Sequence, residues 1–307
     1  MKLSVTVTVL NEAETILALL FGLSTQTKLP NEVIIVDGGS TDQTVQIIKV
    51  FQKKYSGFPI NVFVHQGNRS QGRNFAIKKA QYDWVAITDA GCVPHVDWLE
   101  NLTKKARQTK AEVIAGFYDA CFETVFQTAV VPYMLVMPDR VNADHFLPAT
   151  RSMLIKKKVW QETGGFNEAL KVSEDYDFAH KLDKGNYRLS FSQEAMVSWW
   201  PMENLKDFYQ TVREMAKYDA KAGIIRIKAY LVFCRYLIFL LLALVFLCSH
   251  WLFCLGFVLF SIIIYSLWAM WKNAQYLDRG WLYLPVLQLT ADVGVMVGTM
   301  LALFQRT

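Results

Sequence analysis

The sequence predicts an α/β fold: a mainly parallel sheet flanked by helices, followed by a C-terminal hydrophobic α-helical membrane anchor. Three observations carry this. Short β-branched segments alternate with helical patterns through the first part of the chain. Acidic residues follow three of those segments, at Glu12, Asp37 and Asp89. Charges spread through residues 1–228 and become sparse from Tyr230 onward, although 53% of all 307 residues are hydrophobic.

Four strands are expected first, at residues 3–10, 33–36, 60–64 and 84–88. In the first, apolar residues alternate with Ser4, Thr6 and Thr8, which is the period of a strand. Helical patterns fill the intervals at 14–23, 44–55 and 70–80. Their apolar faces are read as Leu17, Leu20 and Phe21, then Val45, Ile48 and Phe51, then Phe75, Ile77 and Ala80. A helix at 96–110 and a strand at 112–118 come next. An irregular stretch broken by Pro132, Pro138 and Pro148 follows. A strand entering a short helix covers 151–159, Gly164-Gly165 makes a turn, a helix covers 173–184 and a strand 187–191. Trp199-Trp200-Pro201 reads as core packing rather than a sugar platform.

The domain organisation expected is 1–204 as the α/β domain, 205–228 as an amphipathic helix or linker, and 229–307 as a membrane region. In the linker, Phe208, Val212 and Met215 recur at helical spacing among Lys206, Arg213 and Lys217. That pattern suits a membrane interface or an ordinary domain surface. Spanning segments are expected at about 230–248, 251–271 and 282–304, each near the roughly 20 residues a bilayer requires. Arg235 can snorkel towards the interface. The third segment carries Pro285, Gln288 and Asp292, so it either turns Asp292 to its neighbours or is re-entrant. Lys217, Lys221, Arg226 and Lys228 precede the first segment, and Lys272 and Arg279 follow the second. The positive-inside rule puts all of them, and the N-terminal domain, in the cytoplasm of a multi-pass inner-membrane protein. No cleavable leader is expected, because Met1-Lys2 runs straight into a strand.

The net charge of +5 comes without a long basic run, which argues against nucleic acid as a partner. Five cysteines show no metal-ligand spacing, which argues against a disulfide framework and a zinc site. Two or three spans are too few for an aqueous transport path.

Ligands of an open α/β sheet bind beyond the carboxyl ends of its strands. There the chain places Leu10-Asn11-Glu12, Asp37 with Gly38-Gly39-Ser40-Thr41-Asp42, Gly72-Arg73-Asn74, and Asp89-Ala90-Gly91. Asp37 can accept from a base N–H, Asp89 can meet a ribose hydroxyl or a cation, and Arg73 can contact phosphate. Carboxylates repel a diphosphate, so Mg²⁺ or Mn²⁺ is the natural bridge. Asp42 and Ser40 read as helix-capping residues. No dinucleotide fingerprint and no Walker lysine motif is present.

These residues, with Thr88-Asp89-Ala90-Gly91-Cys92, Gly164-Gly165-Phe166 and Ser173-Glu174-Asp175, resemble the family 2 inverting glycosyltransferases of the GT-A nucleotide-sugar fold. The resemblance covers roughly residues 3–200 and rests on the ordered combination. It implies donor-nucleotide binding by Leu10, Asn11, Glu12, Asp37, Arg73, Asp89 and Ala90. It also implies a metal at Asp89 and catalysis by Asp175, with Glu174 positioning the acceptor or sugar. Arg151 and Ser152 sit where the acceptor side should be. The implied partners are a nucleotide-diphosphate sugar, with uridine favoured over guanosine, and a lipid-linked or envelope glycan acceptor.

Two departures stand out. Gly91 holds the place of the usual second carboxylate, so a cation relies on Asp89, the diphosphate and water, or on a ligand from elsewhere; His95 could help, but a lone His after a Pro reads more readily as a surface residue. Gln210-Thr211-Val212-Arg213 lacks the tryptophan of the processive element, so processive synthesis is not expected. The alternatives are a nucleotidyltransferase, which needs a Gly-rich basic loop that the N-terminal part lacks, and a non-catalytic membrane scaffold that keeps the fold.

Overall fold

The computed structural model describes residues 1–305. In chain order the first elements are β1 (Leu3–Val9), α1 (Ile16–Ser24), β2 (Glu32–Asp37), α2 (Thr44–Lys54), β3 (Ile60–Val64), α3 (Arg69–Lys79) and β4 (Trp84–Ile87). Then come β5 (Cys92–Pro94), α4 (Trp98–Thr109), β6 (Val113–Ala120), α5 (Val125–Met134), β7 (Met153–Lys156), α6 (Lys157–Glu162), α7 (Glu174–Lys184) and β8 (Leu189–Trp199). The chain ends in α8 (Leu205–Lys221), α9 (Ile227–Ser249), α10 (Trp251–Asn273) and α11 (Leu284–Phe304). Two compact units result: Met1–Cys121 with Pro138–Trp200, and Phe122–Met137 with Pro201–Thr307.

The first unit is built on one eight-stranded sheet of order β3-β2-β1-β4-β7-β6-β8-β5. Its β3-β2-β1-β4 half is parallel throughout. The other half is mixed: β7 runs antiparallel to β4 and β6, β5 antiparallel to β8, and β6 parallel to β8. One sheet face buries Ile34, Val36, Val85, Ile87 and Ile155 against Ala76 and Ile77 of α3, Val159 of α6, and Phe178 and Leu182 of α7. Each of the Val, Ile, Leu and Phe side chains contributes roughly 1.5–3 kcal/mol.

The alternation in β1 does not mark a wet face. Ser4 and Thr6 are buried; Ser4 donates to Glu32 at 2.6 Å. Thr8 lies under Gly72 of α3, where an added Cβ would sit 2.9 Å from Thr8 Cγ2. The small residue lets α3 approach the sheet and carries Arg73 in with it.

Several expectations need correction. In α1 the buried face is Ile16, Leu19, Leu20 and Leu23, whereas Leu17 and Phe21 are exposed. The irregular stretch holds α5, with Pro132 inside it. The short strand expected at 187–191 is the start of the eleven-residue β8, and β5 pairs with its far end.

In the second unit, α9, α10 and α11 are each long and apolar enough to cross a membrane, with mean hydropathies of 2.7, 2.3 and 1.7. Ala129 and Val130 of α5, Phe208 of α8, and Leu284 and Leu287 of α11 form a separate apolar cluster.

Candidate active site

The carboxyl ends of β1, β2 and β4 present the expected residues. β1 ends before Leu10, whose side chain is exposed. Asn11 follows at φ 56°, a left-handed conformation that asparagine tolerates better than most residues. Its Oδ1 accepts from the backbone N–H of Thr41 at 2.8 Å, and its own N–H donates to Ser40 Oγ at 2.9 Å. The Glu12 N–H donates to Thr44 Oγ1, and its carboxylate accepts from Thr15 Oγ1 at 2.6 Å. Thus the loops after β1 and β2 are stitched into one surface.

Asp37 is buried at the end of β2. Its carboxylate accepts from the N–H groups of Gly39 and Ser40 and from Ser40 Oγ at 2.5 Å. Asp42 accepts from the N–H and hydroxyl of Thr44, and these bonds hold its pKa below the usual value. It braces the turn into α2 without being its N-cap, which is Gln43 with no side-chain cap bond, and Ser40, also expected to cap, bonds Asp37 and Asn11 instead.

The centre of the site is Arg73. Its guanidinium donates through Nη2 to Asp89 Oδ1 at 2.6 Å and through Nη1 to Glu174 Oε1 in a short contact. Arg73 and Glu174 side chains are each 4% exposed, Asp89 31%. Phe166 lies beside the guanidinium, 5.6 Å from ring centroid to Cζ. Burial opposes the Arg73 charge, but Asp89, Glu174 and Asp175 together raise its pKa. Burial likewise opposes ionisation of Asp89. The positive charges of Arg73, Arg69 and Arg151 outweigh it and hold the carboxyl below the usual range.

Glu174 and Asp175 open α7, whose first turn also carries Asp177. Carboxylates are favoured there by the helix dipole. The two residues differ in availability. Glu174 is buried and tied to Arg73, whereas Asp175 is half-buried and bonded through Oδ1 to the Tyr176 N–H at 2.8 Å. Asp175 keeps its other oxygen for a ligand.

The acceptor candidates part company. The Arg151 guanidinium lies over the rings of Trp199 and Tyr118, at 4.9 and 5.4 Å. Such stacking fixes a cation without neutralising it. Ser152 is fully buried. Its hydroxyl accepts from Trp98 Nε1 at 2.8 Å and donates to the Ala195 carbonyl at 2.9 Å. Ser152 is a core hydrogen-bond hub and is not on the surface of the site. Trp199, expected in the core, is half-buried and carries Arg151 on its ring.

A divalent cation would find Asp89 and little else on the chain. Ala90 is buried, and an added Cβ at Gly91 meets nothing within 4 Å. His95 is engaged elsewhere, 2.9 Å from Ser198 Oγ and 3.6 Å from Asp119. Among the described residues no group of three or more His, Cys, Asp or Glu could hold a metal. The arrangement fits an ion such as Mg²⁺ that binds through one carboxylate and completes its shell with phosphate oxygens and water.

A half-parallel α/β sheet whose β4 end is joined through one buried arginine to the start of α7 defines the class of fold and site. The sequence model of glycosyl transferase family 2 matches residues 4–164. The chain belongs to that family. The glycosyltransferase AglE of Haloferax volcanii is 26% identical over 199 residues, 63% of this chain and 65% of its own length. A dolichyl N-acetyl-glucosaminyl phosphate diacetamido-dideoxy-glucuronosyltransferase of Methanococcus voltae is 24% identical over 214 residues, 65% of each chain. The chain thus spans a little under two-thirds of these relatives. The mannosyltransferase PcManGT of Pyrobaculum calidifontis, solved with GDP-Man and Mn²⁺, shares the fold at 17% identity and a TM-score of 0.61, covering 96% of this chain and 87% of that one.

Proposed function

We propose that the chain is a membrane-anchored inverting glycosyltransferase. It moves a hexosyl unit from a nucleoside diphosphate sugar to a hydroxyl or phosphate on a lipid-linked or cell-envelope glycan precursor. The observation that carries this reading is the Arg73 bridge from Asp89 to Glu174. It ties the strand end expected to face the donor diphosphate to the helical turn that presents Asp175.

The bridge also supports inversion. A retaining double displacement needs a carboxylate nucleophile besides the acid–base group. Glu174 is buried and ion-paired, so one carboxylate of the pair remains for chemistry. In the single displacement the acceptor oxygen attacks the anomeric carbon and Asp175 takes its proton. The bond from the anomeric carbon to the diphosphate oxygen breaks, and its electron pair leaves with the nucleoside diphosphate. Arg73 stabilises the growing negative charge. Asp89 would hold a divalent cation, Mg²⁺ or Mn²⁺, which would supply further neutralisation of that charge. Leu10, Asn11, Glu12, Asp37 and Ala90 frame the donor nucleotide. Arg151, held between two rings, faces the acceptor.

PcManGT was solved with a nucleotide sugar, and the Methanococcus voltae relative is named for a dolichyl phosphate substrate. Both favour the same chemistry here. The apolar helices and the basic residues around them favour an inner-membrane protein with its site in the cytoplasm.

The test is nucleoside diphosphate release and glycolipid formation by the detergent-purified protein with a panel of UDP- and GDP-sugars. The Asp175→Asn variant is expected to bind donor as the parent does and to lose nearly all transfer. Unchanged transfer by that variant would remove Asp175 from the mechanism. A folded parent that binds no nucleotide would leave the scaffold reading in its place.

A further inference from the structure

Hydropathy alone makes α11 a third span, but its neighbours do not suit one. About 39% of its apolar window is buried, against 6% for α9 and α10. The cover comes from α8. A Cβ on Gly294 would sit 3.0 Å from Val212, and one on Gly298 would sit 3.0 Å from Ala216 and from the Lys217 backbone. Phe208 joins Leu284 and Leu287 in the cluster at the start of α11. Residue numbers therefore rise together along both helices, so α8 accompanies α11 for most of its length. Yet α8 carries Lys206, Asp207, Arg213, Glu214, Lys217 and Lys221. If α11 crossed the bilayer, this charged helix would cross beside it, which hydrocarbon does not tolerate.

The connections favour another placement. α10 ends where Met270, Ala274 and Leu277 pack on the cluster at the first turns of α11. α9 begins just beyond the last turn of α8, where Arg226 meets Asp219 at 2.6 Å, and that turn lies towards the far end of α11. The two legs of the α9/α10 hairpin thus meet opposite ends of the α8/α11 pair. Asp292, midway along α11, is reached from both legs: by Arg235 at 2.7 Å and Tyr236 at 3.2 Å from α9, and by Tyr265 from α10. Since both legs of a spanning hairpin start at one membrane face, the pair runs across that face.

We infer that α8 and α11 lie together in the plane of the cytoplasmic leaflet, leaving α9 and α10 as the spans and returning the C-terminus to the cytoplasm. The surface offered to lipid is the stripe Val286, Leu289, Val293, Met300 and Phe304, all exposed and recurring at helical spacing. Most apolar side chains of α9 and α10 are exposed as well. Exposed Lys221, Arg226, Lys228 and Arg279 lie at the end of α8, at the start of α9 and between α10 and α11, which suits anionic headgroups. This placement rests on the membrane anchoring proposed above and deepens it.

Topology reporters test it in a bacterial host. Alkaline phosphatase, active only outside the cytoplasm, and green fluorescent protein, fluorescent only inside, are fused in parallel at His250 and at the C-terminus. The placement requires an active phosphatase at His250 and a fluorescent C-terminus. An outward C-terminus with an outward His250 would overturn the in-plane placement alone. A cytoplasmic His250 would overturn the anchoring reading with it. Spin labels at Val286→Cys and Met300→Cys give a second measurement, in protein whose Cys121, Cys234, Cys248 and Cys254 are replaced by serine. Cys92 is buried, and its thiol pKa is raised by burial and by Asp89, so it stays unlabelled. The two labelled sites are about 21 Å apart along the helix axis at 1.5 Å per residue. In-plane placement gives equal depths in lipid vesicles; a depth difference approaching that separation would overturn it.

Discussion

Arg73 Nη2 lies 2.6 Å from Asp89 Oδ1, at the end of β4, while Nη1 of the same guanidinium holds Glu174 at the start of α7. The planar fork of arginine can serve two carboxylates at once, and a lysine cannot do so with the same geometry. One residue therefore fixes the distance between the two ends of the candidate site.

Replacing Arg73 should damage the fold before it damages the chemistry. Arg73→Ala leaves Glu174 buried without its ion partner, and breaking a buried pair costs about 3–5 kcal/mol. Arg73→Lys retains one charge and one contact and should fall between the two. Thermal unfolding with UDP absent separates this from ligand effects. An Arg73→Ala protein melting with the parent would show that the bridge contributes no stability.

The same pair sets a pH dependence. The Asp89 carboxyl is held below its unfolded value, which is about 3.9. A depressed folded pKa contributes stability that is full above the unfolded value and is lost as pH falls through the folded one. The melting temperature should therefore drop below about pH 4. Asp89→Asn should be less stable at neutral pH and show a flatter acid limb. Parallel pH profiles for the two proteins would refute the assignment.

Gly91 offers a gain-of-binding experiment. An added Cβ there meets nothing within 4 Å, and the residue does not have a positive φ. Gly91→Asp would place a second carboxylate beside Asp89. With UDP present, Mn²⁺ affinity should rise about tenfold, or ~1.4 kcal/mol. Titration of free Mn²⁺ by electron paramagnetic resonance reads this directly. No change in affinity would place the ion away from Asp89.

The parts that were legible in the sequence are those written locally. β1, β2 and β4 are short apolar runs ending in polar residues, so both the strands and the sites at their ends stand out. What was not legible depends on residues far apart in the chain or on uniform composition. Arg73 and Glu174 are separated by 101 positions, and nothing local announces the contact. Ser152 sits beside Arg151 like a surface pair, yet Trp98 and Ala195 enclose it. α1 is apolar on nearly every side, so periodicity could not tell Ile16 and Leu19 from Leu17 and Phe21. β8 carries Gln193 and Glu194 in its middle, which ends the apolar signal after Phe191 although pairing with β6 and β5 continues. α11 is apolar enough to read as a span, and its packing along α8, from Phe208 to the close approaches at Gly294 and Gly298, joins residues distant in the chain that nothing local announces.

The charge pair at the base of the helical hairpin gives the last prediction. Asp292 is buried and accepts from Arg235, Tyr236, Tyr265 and Gln288. Asp292→Leu removes the acceptor and leaves Arg235 without its ion pair at the base of the hairpin, where the roughly 2.5–3.5 kcal/mol of a charge at the centre of a spanning helix is an upper bound on the cost. Snorkelling would reduce that figure nearer the interface. Removing both charges, with Arg235→Leu and Asp292→Leu together, restores an apolar contact and should recover much of the loss, because an ion pair traded for packed hydrophobic residues is often near neutral. The comparison is made by thermal unfolding in one detergent across the parent, both single variants and the double variant. Recovery in the double variant identifies Arg235–Asp292 as a coupled clasp between α9 and α11. Strictly additive losses would mean that each residue acts through other partners, leaving Tyr236, Tyr265 and Gln288 as the contacts that hold Asp292.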